Sequence, residues 1–192
     1  MIEYFTEAFV INKKASGELD GLVVLYTKNF GRVTAKAKSI RKITSKLNGH
    51  LEPLNFVECR LIEKNAMPAG RHGFQIIDAL TLNNNSHLRK EALIYGQSLK
   101  LLQFIEMMTF DLQSDVRFYA AIKKIFEHFI EYNNKQKIIY FHLLRILGFD
   151  PKFALCAACH NGEINFFQIT DHIFLCVKCS LKNQKDELIL IK

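Results

Sequence analysis

GRVTAKAKSIRKITSKLNG, residues 31–49, alternates basic or polar side chains with small apolar ones from Arg32 to Lys38. Because successive side chains point to opposite faces of a strand, this pattern predicts a strand with one basic and one apolar face. Beyond Lys38 the alternation stops, but basic and hydroxyl residues continue. A loop of that composition offers the donors and positive charge that phosphates bind. The stretch therefore predicts a strand followed by a phosphate-binding loop.

The surplus positive charge of the chain lies in one short window. The sequence has 26 basic and 19 acidic residues, a net charge of +7. Residues 28–46 hold seven basic residues and no acid, so the remainder is balanced at 19 of each. Charge concentrated in this way indicates a binding partner, although a solvated charged hairpin is the simpler alternative. Tyr26 and Phe30 flank the predicted strand and are candidates for base stacking or for the core.

Composition places the chain among ordinary globular proteins. Hydrophobic residues make up 49% and charged residues 23% of the 192 positions, which argues against long disorder. No apolar run reaches eighteen residues, so a membrane span is not expected. Glu3 and Glu7 stand where a secretory signal would carry basic residues. We therefore expect a cytoplasmic protein whose cysteines stay reduced.

Residues 1–82 contain five segments with strand character. They are Phe5–Lys14, Asp20–Thr27, the stretch from Gly31, His50–Glu63 and Phe74–Leu82. Pro53 must lie at an edge or bulge, and a loop with Pro68 and Gly70 precedes the last segment. Five strands with short hairpins predict a small barrel, and the OB barrel is the commonest of these in nucleic-acid modules. The strand count alone also allows an SH3-like barrel.

The middle of the chain, residues 83–150, has helical periodicity. Ser86 and Ser114 are predicted to cap two helices, and Gly148 is predicted to end a third in the left-handed conformation. The apolar stripes are Leu88, Ala92, Tyr95, Leu99 and Leu102; Tyr119, Ile122, Phe126 and Phe129; and Ile139, Leu143, Ile146 and Leu147. Leu101, Ile105, Phe141 and Leu144 extend beyond these stripes. They indicate either helices in contact on two sides or an open apolar groove.

Two CxxC pairs form the most specific motif in the sequence. Cys156 with Cys159 and Cys176 with Cys179 are separated by sixteen residues. Two such knuckles on facing hairpins complete a tetrahedral four-thiolate site, typical of a zinc ribbon. Ile164–Phe167 and Ile173–Leu175 are its predicted strands. We expect one structural zinc ion per chain, and we expect the fifth cysteine, Cys59, to be a buried apolar residue.

The sequence contains no recognisable catalytic constellation. Its seven histidines are scattered, and neither a GxxxxGK[ST] loop nor a GxGxxG motif is present. His160 follows Cys159 directly, but a complete set of four cysteines needs no further ligand. We therefore interpret the chain as a binding protein and not as an enzyme.

Several short motifs follow one another in a recognisable order. They are Glu18 and Asp20 before the second strand, Thr27 and Gly31 around its hairpin, Lys36 and Lys38, the run Arg41, Lys42, Ser45, Lys46 and Leu47, and then Leu51 and Pro53. The later run LLRILGFDPKFALCAACH, residues 143–160, leads into the cysteines. In this order the motifs resemble those of the RecO family, the recombination mediators of bacterial DNA repair.

The resemblance implies an architecture in three modules and a role in recombination. The expected modules are an OB barrel over 1–82, a helical domain over 83–150 and a zinc motif over 151–192. The implied activities are binding of single- and double-stranded DNA, annealing of strands and loading of recombinase, with RecR and the C-terminal tail of single-stranded-DNA-binding protein as partners. It also implies association with the nucleoid. The predicted DNA-binding residues are Lys13, Lys14, Lys28, Arg32, Lys36, Lys38, Arg41, Lys42 and Lys46.

Two other functions remain open from the sequence. Barrels and zinc ribbons also occur in RNA-binding modules of translation and ribosome assembly. A transcription-linked adaptor that binds protein through its helices is a third possibility, and the concentration of charge in one window argues against it.

Overall fold

The computed structural model describes residues 2–64, 73–182 and 188–192. The expected loop with Pro68 and Gly70 lies outside these ranges. The chain divides into two compact units, Met1–Tyr119 and Ala120–Lys192. These units do not correspond one to one with the three expected modules, whose boundaries at 82 and 150 stay a prediction.

The first unit contains a closed barrel of five strands. They are β1 (Glu3–Ser16), β2 (Asp20–Thr27), β3 (Gly31–Ala37), β4 (Phe56–Lys64) and β5 (Gly73–Asn83). Their order around the barrel is β1-β2-β3-β5-β4, in which β5 pairs parallel with β3 and antiparallel with β4. This crossover makes a Greek-key barrel of the OB type, so the expected fold is confirmed and the SH3-like alternative is not observed.

The alternation in β3 decides which of its residues enter the core. Val33, Ala35 and Ala37 are at most 1% exposed, whereas Arg32 and Lys36 are half-buried on the outer face. The predicted two-faced strand is confirmed. The inward side chains join the barrel core with apolar residues from the other four strands. Burial of these residues, and not the charge on the outer face, specifies the register of β3.

A short helix and a turn precede the fourth strand. Helix α1 (Lys46–His50) is followed by a turn over residues 51–54, and β4 begins only at Phe56. The Asn55 amide Nδ2 donates to the carbonyl oxygens of Gly49 and His50, at 3.0 and 2.9 Å, and so satisfies groups at the end of α1. The prediction that the strand runs from His50 to Glu63 was wrong for its first six residues, because they end the helix and form the turn, which contains Pro53.

Helix α2 (Ala92–Met108) packs against β1, and helix α3 (Val116–Glu127) follows it. Both predicted caps were wrong. Ser86 lies in a 3-10 turn, Ser86–Arg89, before α2. The Asp115 carboxylate, not Ser114, accepts from the backbone N–H groups of Arg117 and Phe118 at 2.8 and 3.2 Å.

Burial along the helices follows one predicted stripe throughout and the other two in part. The Tyr119, Ile122, Phe126 and Phe129 stripe is buried. In the third stripe Ile139 and Leu143 are buried, and Ile146 and Leu147 are half-buried. In the first stripe Leu88 and Leu102 are buried and Leu99 is half-buried, but Ala92 and Tyr95 are exposed; Ile94, Leu101 and Ile105 complete the buried face of α2. Leu101, Ile105 and Leu144 are at most 2% exposed, so they do not line an open groove.

The second unit holds helix α4 (Gln136–Ile146) and a small sheet. Gly148 ends the turn after α4 with φ +93°, as predicted. The sheet contains β6 (Phe166–Gln168), β7 (Ile173–Leu175) and β8 (Leu188–Leu190) in the order β7-β6-β8, and helix α5 (Val177–Ser180) follows β7. The strand expected at Ile164–Phe167 starts two residues later, and β8 is too short to show a periodic signal.

Within the described ranges, no helix has the length and apolar character needed to cross a membrane.

Candidate metal centre and nucleic-acid interface

The two CxxC knuckles converge in the second unit because the sheet carries both of them. Cys176 directly follows β7 and precedes α5. The first knuckle is attached to the same strand, since the Ala157 N–H donates to the Phe174 carbonyl at 2.9 Å. Its turn is closed by the His160 N–H, which donates to the Cys156 carbonyl at 2.8 Å. Backbone hydrogen bonds thus close the first knuckle and attach it to β7, the strand that leads into the second knuckle.

The four sulfur atoms have the spacing of a tetrahedral site. The Sγ atoms of Cys156, Cys159, Cys176 and Cys179 all lie within 4.8 Å of one another. The Sγ atoms of Cys159 and Cys176 are 3.7 Å apart. Zinc–sulfur bonds of about 2.3 Å in tetrahedral geometry place sulfurs about 3.8 Å apart, so the donor set fits such an ion. The predicted grouping of the four cysteines is confirmed, and these four thiols can hold a metal ion.

The protein environment gives two of the four thiols different pKa values. Burial alone raises the pKa of Cys156, but the backbone N–H groups of Cys176, Ala158 and Cys159 outweigh it and lower that pKa to about 6. Hydrogen bonds with the thiols of Cys176 and Cys159 raise the pKa of Cys179 to about 12. Four adjacent sulfurs resist full ionisation because their negative charges repel. A bound dication removes this repulsion, which makes the cluster chemically suited to a metal.

Cys59 lies apart from this cluster, in the barrel core. It is 1% exposed, and burial raises the pKa of its thiol to about 12. Its Sγ donates to the Thr6 carbonyl at 3.4 Å. The prediction of a buried apolar role is confirmed.

The segment after β3 carries a run of basic residues, 38–46, which ends on the first residue of α1 and which we call the basic loop. The Ser39 N–H donates to the Asp20 carboxylate at 2.8 Å, and the Arg41 N–H donates to the Leu19 carbonyl at 3.0 Å. The Arg41 guanidinium also donates to the carbonyls of Gly17 and Glu18, at 3.2 and 3.0 Å. The basic loop is therefore attached to the β1–β2 turn, one of the loops by which OB folds bind oligonucleotides.

Four of the nine predicted DNA-binding residues form ion pairs within the protein. Lys13 pairs with Glu52, Lys14 with Glu106 at 3.8 Å, Arg32 with Asp111 at 2.7 Å, and Lys36 with Asp20 at 2.9 Å. Arg32 also donates to the Glu106 carbonyl at 2.6 Å. Their acidic partners in α2 and the segment after it lie more than seventy residues away in sequence. No local pattern in the sequence indicates these pairs.

The other lysines of the predicted set are exposed and form no ion pair among the described residues, although, after Lys36, the charge of Lys38 contributes to lowering the pKa of Asp20. They are Lys28, Lys38, Lys42 and Lys46. Three of them belong to the basic loop. Lys28 lies in the β2–β3 turn, at the opposite end of β3, on the order of 20 Å away for a strand of this length. The available positive charge is thus concentrated at the end of the barrel that carries the β1–β2 turn.

Lys36, the remaining lysine near the β1–β2 turn, is held in an ion pair by Asp20. The Lys36 ammonium, and after it the Ser39 N–H, hold the pKa of Asp20 below its ordinary value. The carboxylate therefore stabilises the fold above its ordinary pKa and loses that contribution as the pH falls through its lowered value.

The two aromatic residues proposed for stacking lie elsewhere. Tyr26 is 2% exposed and packs edge-to-face on Phe118, with ring centroids 5.4 Å apart. Phe30 packs against Tyr4 and Phe74 at the edge of the core. Both residues serve the core, which was the other alternative.

Sequence comparison agrees with this architecture. Residues 1–69 match the family described as recombination protein O N terminal. The chain is 28% identical over 182 residues to DNA repair protein RecO of Thermodesulfovibrio yellowstonii, covering 93% of this chain and 71% of that protein. It is also 28% identical over 187 residues to DNA repair protein RecO of Dehalococcoides mccartyi, covering 92% and 70%.

The chain is similar to RecO proteins. The similarity extends beyond the barrel, since both relatives match over both units. A third RecO protein, from a Nocardioides species, is 42% identical over 60 residues, 31% of this chain and 25% of that protein. These relatives carry the name DNA repair protein RecO, and the family model matches the part of the chain that holds most of the barrel.

Proposed function

We propose that this protein is a non-enzymatic mediator of recombinational DNA repair that binds single- and double-stranded DNA through the basic loop. The observation that carries the proposal is the set of three exposed lysines, Lys38, Lys42 and Lys46, on a loop fixed to the β1–β2 turn. Phosphates bind cations that have no internal partner more readily, because no ion pair must be broken. The RecO relatives, named for DNA repair, support the same assignment.

Binding through phosphates accounts for the other proposed activities. Cations on a rigid loop contact the backbone without reading base edges, so binding is expected to be indifferent to sequence. Annealing brings two polyanions side by side, and a basic surface lowers the repulsion between them. We further propose that the protein helps to load recombinase onto DNA coated with single-stranded-DNA-binding protein. RecR and the C-terminal tail of that protein are the proposed partners, and the nucleoid is the proposed location.

The metal has a structural role in this proposal. Zinc is the ion that four thiolates in tetrahedral spacing favour. Four sulfurs leave no open coordination position, so the zinc does not take part in catalysis. We assign the four ligands to Cys156, Cys159, Cys176 and Cys179.

Removal of the three exposed lysines tests the DNA proposal. The variant Lys38→Ala/Lys42→Ala/Lys46→Ala keeps Arg41 and therefore the hydrogen bonds that hold the basic loop. We expect a slope of log K against log salt near −3 for the wild type on single-stranded DNA, if about four phosphates are contacted. The variant should flatten that slope by about 2 and bind all sequences more weakly. Fluorescence anisotropy at several salt concentrations measures both quantities, and a strand-annealing assay should show the same loss.

The control for this experiment removes equal charge elsewhere. Lys90→Ala/Lys100→Ala/Lys152→Ala also deletes three exposed lysines and should leave slope and affinity unchanged. If both triple variants behave alike, only net charge matters and the proposed interface is wrong. Tighter binding of RNA than of single-stranded DNA would favour the RNA-binding alternative.

Replacement of Asp20 should strengthen DNA binding. In Asp20→Asn the amide oxygen can still accept from the Ser39 N–H, but the ion pair with Lys36 is lost. We expect the released Lys36 to contact a phosphate that the wild type does not bind. This additional contact should make the slope of log K against log salt steeper by about 0.7 and raise the affinity at low salt. Asp78→Asn makes the same charge change on β5 and should have no such effect. An unchanged slope in Asp20→Asn would show that Lys36 takes no part in binding.

A further inference from the structure

The basic loop presents one isoleucine entirely to solvent. Ile43 is fully exposed, and its immediate neighbours Arg41, Lys42 and Thr44 are exposed polar residues. A single exposed apolar residue needs no explanation by itself. The conformation of the loop and the charge around this side chain distinguish Ile43 from other exposed apolar residues of the barrel.

The backbone holds Ile43 at the tip of a defined turn. The Lys42 N–H donates to the Ser39 carbonyl at 3.1 Å, and the Ser45 N–H donates to the Lys42 carbonyl at 2.9 Å. These bonds close two consecutive turns, and Ile43 occupies the first central position of the second. In the common turn types Pro is the residue favoured at that position, so local turn chemistry gives no particular reason for a β-branched apolar residue.

The loop is also anchored immediately before this tip. Ile40 is 1% exposed and lies in the barrel core, and Arg41 is bonded to the β1–β2 turn. Leu19, in that turn, is 43% exposed and accepts the Arg41 N–H through its carbonyl. The Ile43 side chain is therefore presented from an ordered support. An ordered apolar tip loses little conformational entropy when it is buried by a ligand.

The surrounding charge indicates what that ligand is. Lys38, Lys42 and Lys46 share the basic loop with Ile43. A partner that binds both the lysines and the isoleucine must combine closely spaced anions with apolar surface between them. A nucleic-acid strand does so with its phosphates and base faces. Apolar side chains next to phosphate-binding cations are known to enter base steps and unstack them.

We propose that Ile43 inserts between neighbouring bases of the bound DNA and unstacks that step, while the lysines around it hold the phosphates. This inference rests on the proposed function, because it requires the basic loop to contact DNA. It assigns the loop a second role: the cations supply affinity, and the isoleucine opens the base stack of the strand that is to be paired.

The test uses single-stranded DNA with 2-aminopurine at internal positions, since this base fluoresces weakly when stacked and strongly when unstacked. Binding of the wild-type chain should raise the fluorescence. Ile43→Ser should remove at least half of that rise and weaken binding about 3- to 10-fold. The salt slope should stay unchanged, because every cation remains. Ile43→Leu should restore the rise, and Leu80→Ser, which removes an apolar side chain 58% exposed on β5, should behave as the wild type.

The outcomes separate the inference from the proposed function. If the wild type fails to bind DNA at low salt, the proposed function falls and the inference falls with it. If the wild type binds DNA and Ile43→Ser gives the same fluorescence and affinity, only the inference is wrong. Wild-type binding to phosphatidylserine vesicles that Ile43→Ser abolishes, with no effect on 2-aminopurine, would assign the tip to a membrane surface and also overturn it.

Discussion

Replacing Cys156 by serine should release the metal and unfold the part of the second unit that surrounds it. Apparent binding free energies of structural zinc sites are about 10–16 kcal/mol, more than a small sheet can supply by packing alone. The sheet β7-β6-β8 has three residues in each strand, so its own core is small. Without the ion, four adjacent sulfurs would remain on two short knuckles, and the coordination of one ion by all four thiolates would no longer link the knuckles.

Metal content and protease sensitivity measure this outcome. The wild type should contain one zinc per chain, and Cys156→Ser should contain little. Limited proteolysis should then cut the variant beyond residue 150, and a chelator should produce the same cleavage in the wild type. DNA affinity should be unchanged, because the basic loop lies in the other unit.

Cys59→Ala is the matched control, since it removes a thiol that lies outside the cluster. It should keep the full metal content and the wild-type cleavage pattern. Wild-type protein without zinc after purification in metal-containing medium would contradict the assignment of a structural metal.

Gly31→Ala should be the most damaging single methyl addition in the barrel. A Cβ at this position would lie 2.0 Å from the Gln113 carbonyl oxygen and 2.9 Å from the Ser114 nitrogen. These are backbone atoms of the segment that pairs with β3, where the Leu112 N–H donates to the Arg32 carbonyl at 3.0 Å. The residue also has φ +70°, which costs an L-residue about 1–2 kcal/mol. With about 1–3 kcal/mol for the displaced backbone, the free energy of unfolding should fall by about 2–5 kcal/mol.

Substitutions at two other glycines distinguish the cost of the positive φ from the cost of the steric clash. Gly17 has φ +73° but has no atom within 4 Å of an added Cβ, so Gly17→Ala should cost only the conformational part. Gly49 in α1 has neither restriction, and Gly49→Ala should stabilise by about 0.5–1 kcal/mol. Urea unfolding of the three variants measures these differences. Equal losses for Gly31→Ala and Gly17→Ala would show that the segment after α2 does not press on β3.

The Gly31 contact also explains the position of Arg32. The close approach of the 109–113 segment brings Asp111 to the guanidinium, 2.7 Å away. Arg32 therefore links a strand to a distant segment, whereas Lys38, Lys42 and Lys46 face solvent. The charge of the sequence placed the basic residues in one window, residues 28–46, but it did not separate these two groups.

The sequence by itself determined the features that depend on local periodicity or on ligand type. The alternation of β3 specified its buried and exposed faces because the period of a strand is two residues. The spacing of Cys156, Cys159, Cys176 and Cys179 determined the four-thiol cluster, because each CxxC turn directs two sulfurs to one point. Gly148 determined the end of a helical turn through its left-handed conformation.

Only the tertiary structure decided the features that depend on distant residues. It paired Arg32 with Asp111 and Lys36 with Asp20, which leaves the unpaired charge on the basic loop. It also placed Ile43 in solvent within that loop. Burial and ion pairing arise from contacts between segments far apart in the chain, and no local pattern records which segments meet.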